Sequence, residues 1–338
     1  MQNAKCKMQN AKCKMQNAKC KMQNAKCKMQ NAKGRGMVAH FKVVAGYTPI
    51  HKITRENIEK LLGRRAPWFR QGQLRGDDKH FALCPYCDTP IQLKGVYKQK
   101  ENSPRPYGSH TGTAILGFPF NELDLAFCPY RLKTHSYNKH VRREMGPVAQ
   151  QLIDMAVAEF DRIVLILRDD FGFAFSDAFA GEMLRQWFDS EGYLYTGANL
   201  RNLPWMIAYF GPTQSLFMQP VGKNDELATL IRAQVPQVSI SPSGRLEKGS
   251  AWYKLDLQCL YHRVEIKAED GTLIESLILR IQDFTKTNEA TKAPTIFTKQ
   301  LLFTPERFES LIHTPPERAR RNTQLLKLAQ DIAKNRSK

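Results

Sequence analysis

Residues 83–97 read Leu-Cys-Pro-Tyr-Cys-Asp-Thr-Pro-Ile-Gln-Leu-Lys-Gly-Val-Tyr, and Cys84 and Cys87 at that spacing decide how this region folds. Two thiolates two residues apart grip one tetrahedral ion because a tight turn aims both sulfurs inward. The segment from Ile91 to Tyr97 reads as one arm of a hairpin, so the turn and the strand together open a zinc-knuckle module. A second Cys-Pro-Tyr stands at Cys128-Pro129-Tyr130, with Arg131 where a matching cysteine would be. Three sulfurs need a fourth donor. His110, in a glycine-flanked turn between the two halves, is the first choice, and His135 is the rival, with His80 and His140 behind them. Zn²⁺ is the expected cofactor. Four protein ligands would make its role structural, since a closed site leaves no position for an activated water. No βαβ pattern surrounds the CxxC, which argues against a redox pair, and no His-x-Glu precedes it, which argues against a deaminase.

Working outward, charge concentrates around this module. Between Lys60 and Arg143 there are 15 basic and 6 acidic residues, a net of +9, whereas residues 144–338 carry 23 bases and 24 acids. Arg64, Arg65, Arg70 and Arg75 precede the cysteines, and Arg131, Lys133, Lys139, Arg142 and Arg143 follow them, with Trp68, Phe69, Tyr86, Tyr107 and Tyr130 interleaved. Cations offer phosphate contacts and exposed rings offer stacking, so DNA or RNA is the expected partner. A solvated basic face over packed aromatics, or a module for protein contacts, is the competing expectation.

Residues 1–33 are four copies of Met-Gln-Asn-Ala-Lys-Cys-Lys and a truncated fifth. Written as ATGCAAAATGCAAAATGCAAA, the unit is three copies of a seven-base word, which encodes the same heptapeptide in every frame. The expectation is a slippage-prone, phase-variable tract at the front of a bacterial gene of defence or mobile-element type. At the protein level, residues 1–36 hold 10 basic and no acidic residues and read as a disordered cationic tail. Ala at every d position makes a coiled coil a poor alternative. The tail lacks an apolar h-region, and no run of about 18 apolar residues occurs, so neither secretion nor a membrane span is expected. An unpaired CxxC without a signal peptide fits a reducing cytoplasm.

Past the module, Pro147 opens a helical pattern with Ile153, Val157, Phe160, Val164 and Leu167 on one face. Ser176 and Asn224 are helix caps, residues 193–220 resist assignment, and Trp252–Lys267 and Thr272–Phe284 form a hairpin turned at Glu269-Asp270-Gly271. A strand at 299–303 and helices at 305–313 and 316–335 complete the chain. The expected fold class is α+β: a small zinc-knuckle module, treble-clef or ribbon-like, followed by a mixed helix and antiparallel-hairpin domain. Its divisions are a repeat tail at 1–36, a basic zinc module at 37–143 and an α+β domain at 144–338. One enzymatic pattern competes with binding. Asp256, Glu265 and Lys267 resemble a metal-dependent nuclease set, but on one straight strand the two carboxylates would face opposite sides about 30 Å apart. No phosphate-binding or nucleophile-elbow motif appears, so binding is favoured over catalysis.

Overall fold

Short antiparallel strands build the first half of the chain. The computed structural model describes residues 36–46, 48–74, 77–97, 105–131, 137–267 and 271–336. β1 (His40–Lys42), β2 (Ile50–Lys52), β4 (Lys79–Leu83), β5 (Pro90–Lys94) and β6 (Tyr107–His110) run in the order β2-β1-β4-β5-β6, and β3 (Phe69–Arg70) pairs with β4. The sheet curls so that β6 meets the segment leading into β1, where Val38 and Gly108 exchange both main-chain hydrogen bonds at 2.9 and 2.8 Å. Gly108 lets the two segments approach closely, since a Cβ would lie 2.6 Å from Ile91 Cδ1 and displace that side chain. α1 (Arg55–Leu61) begins at Thr54, whose hydroxyl accepts from the Asn57 amide, and it lays Ile58 in the interior with Leu62 just behind. Val38, Phe41, Ile53, Ala82, Ile91 and Leu93 complete that core, which also holds Cys84, Cys87 and Cys128. α2 (Glu122–Ala126) then leads into Cys128.

The helix expected from Pro147 is in fact two, α3 (Pro147–Ala158) and α4 (Phe160–Phe171), broken at Glu159. α3 buries Val148, Leu152, Met155 and Ala156, while Ile153 and Val157 sit half-exposed. Turning the axis at Glu159 lets α4 bury most of its length, including Ile163, Val164, Ile166 and Leu167. A single face running through both helices would have left α4 partly in water. α5 (Asp177–Asp189) starts at Ser176 as expected, with Oγ accepting from the Phe179 amide at 3.2 Å. α6 (Leu203–Phe210) occupies the unassigned stretch. Every one of its residues is buried, so it carries no polar face from which a helical period could be read.

β7 (Gln214–Ser215) and α7 (Asp225–Gln234, capped by Asn224) precede a small hairpin of β8 (Val238–Ile240) and β9 (Leu246–Lys248). β10 (Leu255–Ile266), β11 (Leu273–Asp283) and β12 (Thr295–Leu302) form a second sheet in the order β12-β11-β10-β7. β10 and β11 are the expected hairpin, although the turn at residues 268–270 lies outside the described residues. The register of β10 shifts between Leu260 and Arg263, where Tyr261 has φ +58° and points outward. One inserted residue hands the inward face from Leu255, Leu257 and Cys259 to His262. The far end of the hairpin reaches the first core, with Ile266 and Leu273 packed against it and the Tyr130 hydroxyl donating to Gly271 O at 2.9 Å.

α8 (Pro305–Ile312) and α9 (Thr323–Arg336) close the chain. The last helix starts later than its sequence pattern indicates. Arg321 donates to the Asp161 carboxylate at 2.8 and 2.9 Å, and the Asn322 amide binds the same carboxylate, which fixes the approach to α9 in a non-helical shape. Leu325, Ala329 and Ile332 are buried against the helical core. The described residues are thus a mixed α+β fold with antiparallel sheets and nine α-helices, none long and apolar enough to cross a membrane.

Candidate functional site

Cys84 directly follows β4 and opens a turn closed by Cys84 N donating to Thr89 O and Asp88 N donating to Cys84 O. Cys87 lies inside that turn, His110 ends β6 and Cys128 follows α2. The three sulfurs and one imidazole nitrogen all lie within 4.8 Å of one another. Cys84 Sγ is 3.8 Å from Cys128 Sγ, and His110 Nε2 is 3.4 Å from Cys87 Sγ and 3.5 Å from Cys128 Sγ. A tetrahedral ion with metal–sulfur bonds of about 2.3 Å and metal–nitrogen bonds of about 2.0 Å has edges of about 3.8 and 3.5 Å. These three distances match the edges of such a tetrahedron, and the four donors could together hold a metal ion. His135, the rival ligand, lies outside the described residues, and His80 is engaged elsewhere, its Nε2 3.1 Å from Gly63 O.

Electrostatics favour a cation here. All three cysteines are buried, and burial together with the two neighbouring sulfurs pushes the Cys128 thiol well up. Burial also opposes ionisation of Cys84, but hydrogen bonds from Cys128 and Cys87 outweigh it and draw that thiol down. A bound cation would offset the charge of ionised sulfurs in this buried site.

The turn is braced from both sides. Asp88, at φ +53°, forms a buried ion pair with Lys42 and accepts from the Gly46 amide at 2.9 Å. Tyr86 sits between the cysteines, buried, and its hydroxyl accepts from Arg201 Nη1 at 3.1 Å. Burial raises the Tyr86 phenol to about 12. Asp124, pushed by burial to about 6, has buried Arg143 as its nearest counter-charge.

The basic residues divide into two groups. Arg64, Arg65, Arg70 and Arg131 are exposed. Arg64 lies over the Phe69 ring at 5.7 Å, Arg65 over Trp68 at 5.8 Å and Arg70 over Phe81 at 5.4 Å. Lys139, Arg142 and Arg143, expected to meet nucleic acid, are used inside the fold instead. Lys139 donates to Tyr209 O at 2.7 Å, Arg142 to Ser190 O and Lys139 O, and buried Arg143 to Ala198 O at 3.1 Å. They fasten the segment after Cys128 to the helical half, Lys139 and Arg142 by supplying donors to the carbonyls of Tyr209 and Ser190 at helix ends. Lys133 and Arg75 lie outside the described residues.

The nuclease set does not assemble. The bulge places Asp256 and Glu265 on one face of the sheet, but Asp256 pairs with Gln282 and Glu265 with Ile274, eight residues apart on β11. That separation is about 27 Å. Asp256 is buried beside Lys254, and Glu265 and Lys267 are exposed near the other end.

One buried constellation escaped the sequence. His262 Nε2 lies 3.1 Å from Glu275 Oε1, and Nδ1 lies 3.2 Å from the Tyr195 hydroxyl. Asn202 donates to the same carboxylate at 2.7 Å and Asn199 at 3.4 Å. Tyr137 and Phe303 stack on the imidazole at 5.2 and 5.8 Å. Glu275 held the available signal, since it alternates with Leu273, Leu277, Leu279 and Ile281 on the inward face of a strand. Compared with protein-family models, curated proteins and solved structures, the chain matches none.

Proposed function

We propose that the chain is a zinc-stabilised nucleic-acid-binding protein. Zinc is the ion that suits three thiolates and one imidazole at tetrahedral spacing, and burial with four protein donors fits a structural site rather than a catalytic one. Its task is to hold the turn after β4 against β6 and the segment around Cys128, so that the small curled sheet keeps its shape.

The single observation that carries the binding proposal is the group of exposed arginines, each laid over an aromatic ring, along β3 and its flanks. Guanidinium groups there can release counterions from phosphates, and the rings beneath offer stacking surfaces. The partner is DNA or RNA. The repeat at residues 1–33, outside the described residues, supports phase-variable expression of such a protein, and sequencing the gene decides that point: unrelated synonymous codons in the repeat would exclude it.

The deciding experiment is fluorescence anisotropy with labelled DNA and RNA at increasing salt. Binding should weaken as salt rises, and the Arg64→Glu/Arg70→Glu double variant should lose most of it and flatten the salt dependence. A folded, metal-loaded protein with no affinity at low salt would refute the proposal.

A further inference from the structure

Beside the exposed arginines is a cleft of about 460 Å³ at the open end of the curled sheet. Its floor is His80 and Leu93, directly opposed across β4 and β5, and its walls include Phe69, Arg64 and Tyr97. His80 is also opposed to Phe69 across β3 and β4, with ring centroids 5.0 Å apart, and Tyr97 lies 5.7 Å from the imidazole on the other side. Tyr97 is 50 % exposed although it is large and partly apolar. Arg55 stands over Tyr97 at 5.3 Å as Arg64 does over Phe69. Lys94 lies on the rim, and Asp78 is the one carboxylate among the lining side chains.

We propose that this cleft receives one unpaired nucleobase of a single-stranded nucleic acid, stacked among Tyr97, Phe69 and the guanidinium planes, with the flanking phosphates on Arg64 and its neighbours. The assignment rests on the nucleic-acid reading above and narrows it to a substrate class. Three features argue for it. The volume lies in the range of small-ligand pockets, ample for one base and far below what a duplex needs. The walls are aromatic and arginine side chains, the two surfaces on which splayed-out bases stack. His80 and Leu93 are buried whereas Tyr97 is half exposed, so the lining runs from the interior to the surface, and a base held in a duplex would present only its edge to it.

The test uses the full-length metal-loaded protein with three probes: a single-stranded oligonucleotide carrying 2-aminopurine, the matching duplex, and the free mononucleotide. The single strand should bind more tightly than the duplex, and the 2-aminopurine emission should change on binding. Tyr97→Ala should weaken single-strand binding by roughly 5- to 100-fold and abolish the emission change, leaving duplex binding unaltered. Phe69→Leu should act in the same direction, with circular dichroism and metal content confirming that both variants are folded. If Tyr97→Ala binds the single strand like the parent with the emission change intact, the cleft is not a base site and only the arginine surface stands. If the mononucleotide binds and the strand does not, the single-strand assignment is overturned. If no probe binds at low salt, the nucleic-acid reading itself falls.

Discussion

Tyr86, held between Cys84 and Cys87, accepts a hydrogen bond from Arg201 of the helical half at 3.1 Å. Arg201 also reaches Glu306 at 2.6 Å, so one buried guanidinium joins the Cys84–Cys87 turn to the residues that open α8. Tyr86→Phe keeps the ring and removes only the acceptor. It leaves a buried cation short of a partner, and a loss of about 1–3 kcal/mol in urea unfolding is expected with one metal ion still bound. Unchanged stability would mean that Glu306 alone satisfies the arginine.

Metal removal should be felt locally before it is felt globally. Cys128→Ser and His110→Ala are each expected to lower metal content and to increase hydrogen exchange in β4–β6 ahead of α3–α6, because the ligands sit in the smaller apolar core. Full retention of metal by both variants would contradict the four-ligand set.

Lys42 and Asp88 form a buried pair beneath the turn. Removing one charge strands the other, so Lys42→Met should cost about 3–5 kcal/mol. The double change Lys42→Met/Asp88→Asn should recover part of that, and thermal denaturation of the four proteins of the cycle measures the coupling. Asn is the right replacement, since residue 88 has positive φ and Asn tolerates that conformation.

Glu275 anchors His262, Asn199 and Asn202. Glu275→Leu would leave three donors unsatisfied in the core, each worth about 1–3 kcal/mol, and should destabilise far more than Glu275→Gln. Chemical denaturation of the two variants side by side checks the order.

Burial pushes the His80 imidazole below its ordinary 6.5. The unfolded chain therefore takes up this proton first as pH falls. The stabilisation is complete above pH 6.5 and is lost as pH drops from there through the lower folded value. Unfolding free energy measured from pH 8 to 5 should fall less steeply for His80→Gln than for the parent. A steeper fall in the variant would reverse the sign.

The readable parts of the fold were those where one residue type has one local use. Ser176 and Asn224 cap helices because their side-chain oxygens meet orphan amides, and the CxxC turn, with His110 and Cys128, is legible because thiolate spacing is chemistry. Features set by tertiary packing were not legible. A break at Glu159 has no proline or glycine to announce it, and α6, apolar all round, has no period. The internal hydrogen bonds of Lys139, Arg142 and Arg143 were hidden for a related reason. A cation that binds carbonyls inside the protein looks the same in sequence as one that waits for phosphate, and only the position of Tyr209, Ser190 and Ala198 separates the two.

The long β10–β11 ribbon has its base in the larger core, and its far end supplies Ile266, Leu273 and the Gly271 carbonyl to the smaller one. A fragment ending at Arg143 would keep every metal ligand yet lose an apolar lid and the acceptor for Tyr130. Cutting the gene at that point would thus yield an incomplete piece, and the two halves are better mixed, or coexpressed, than studied apart.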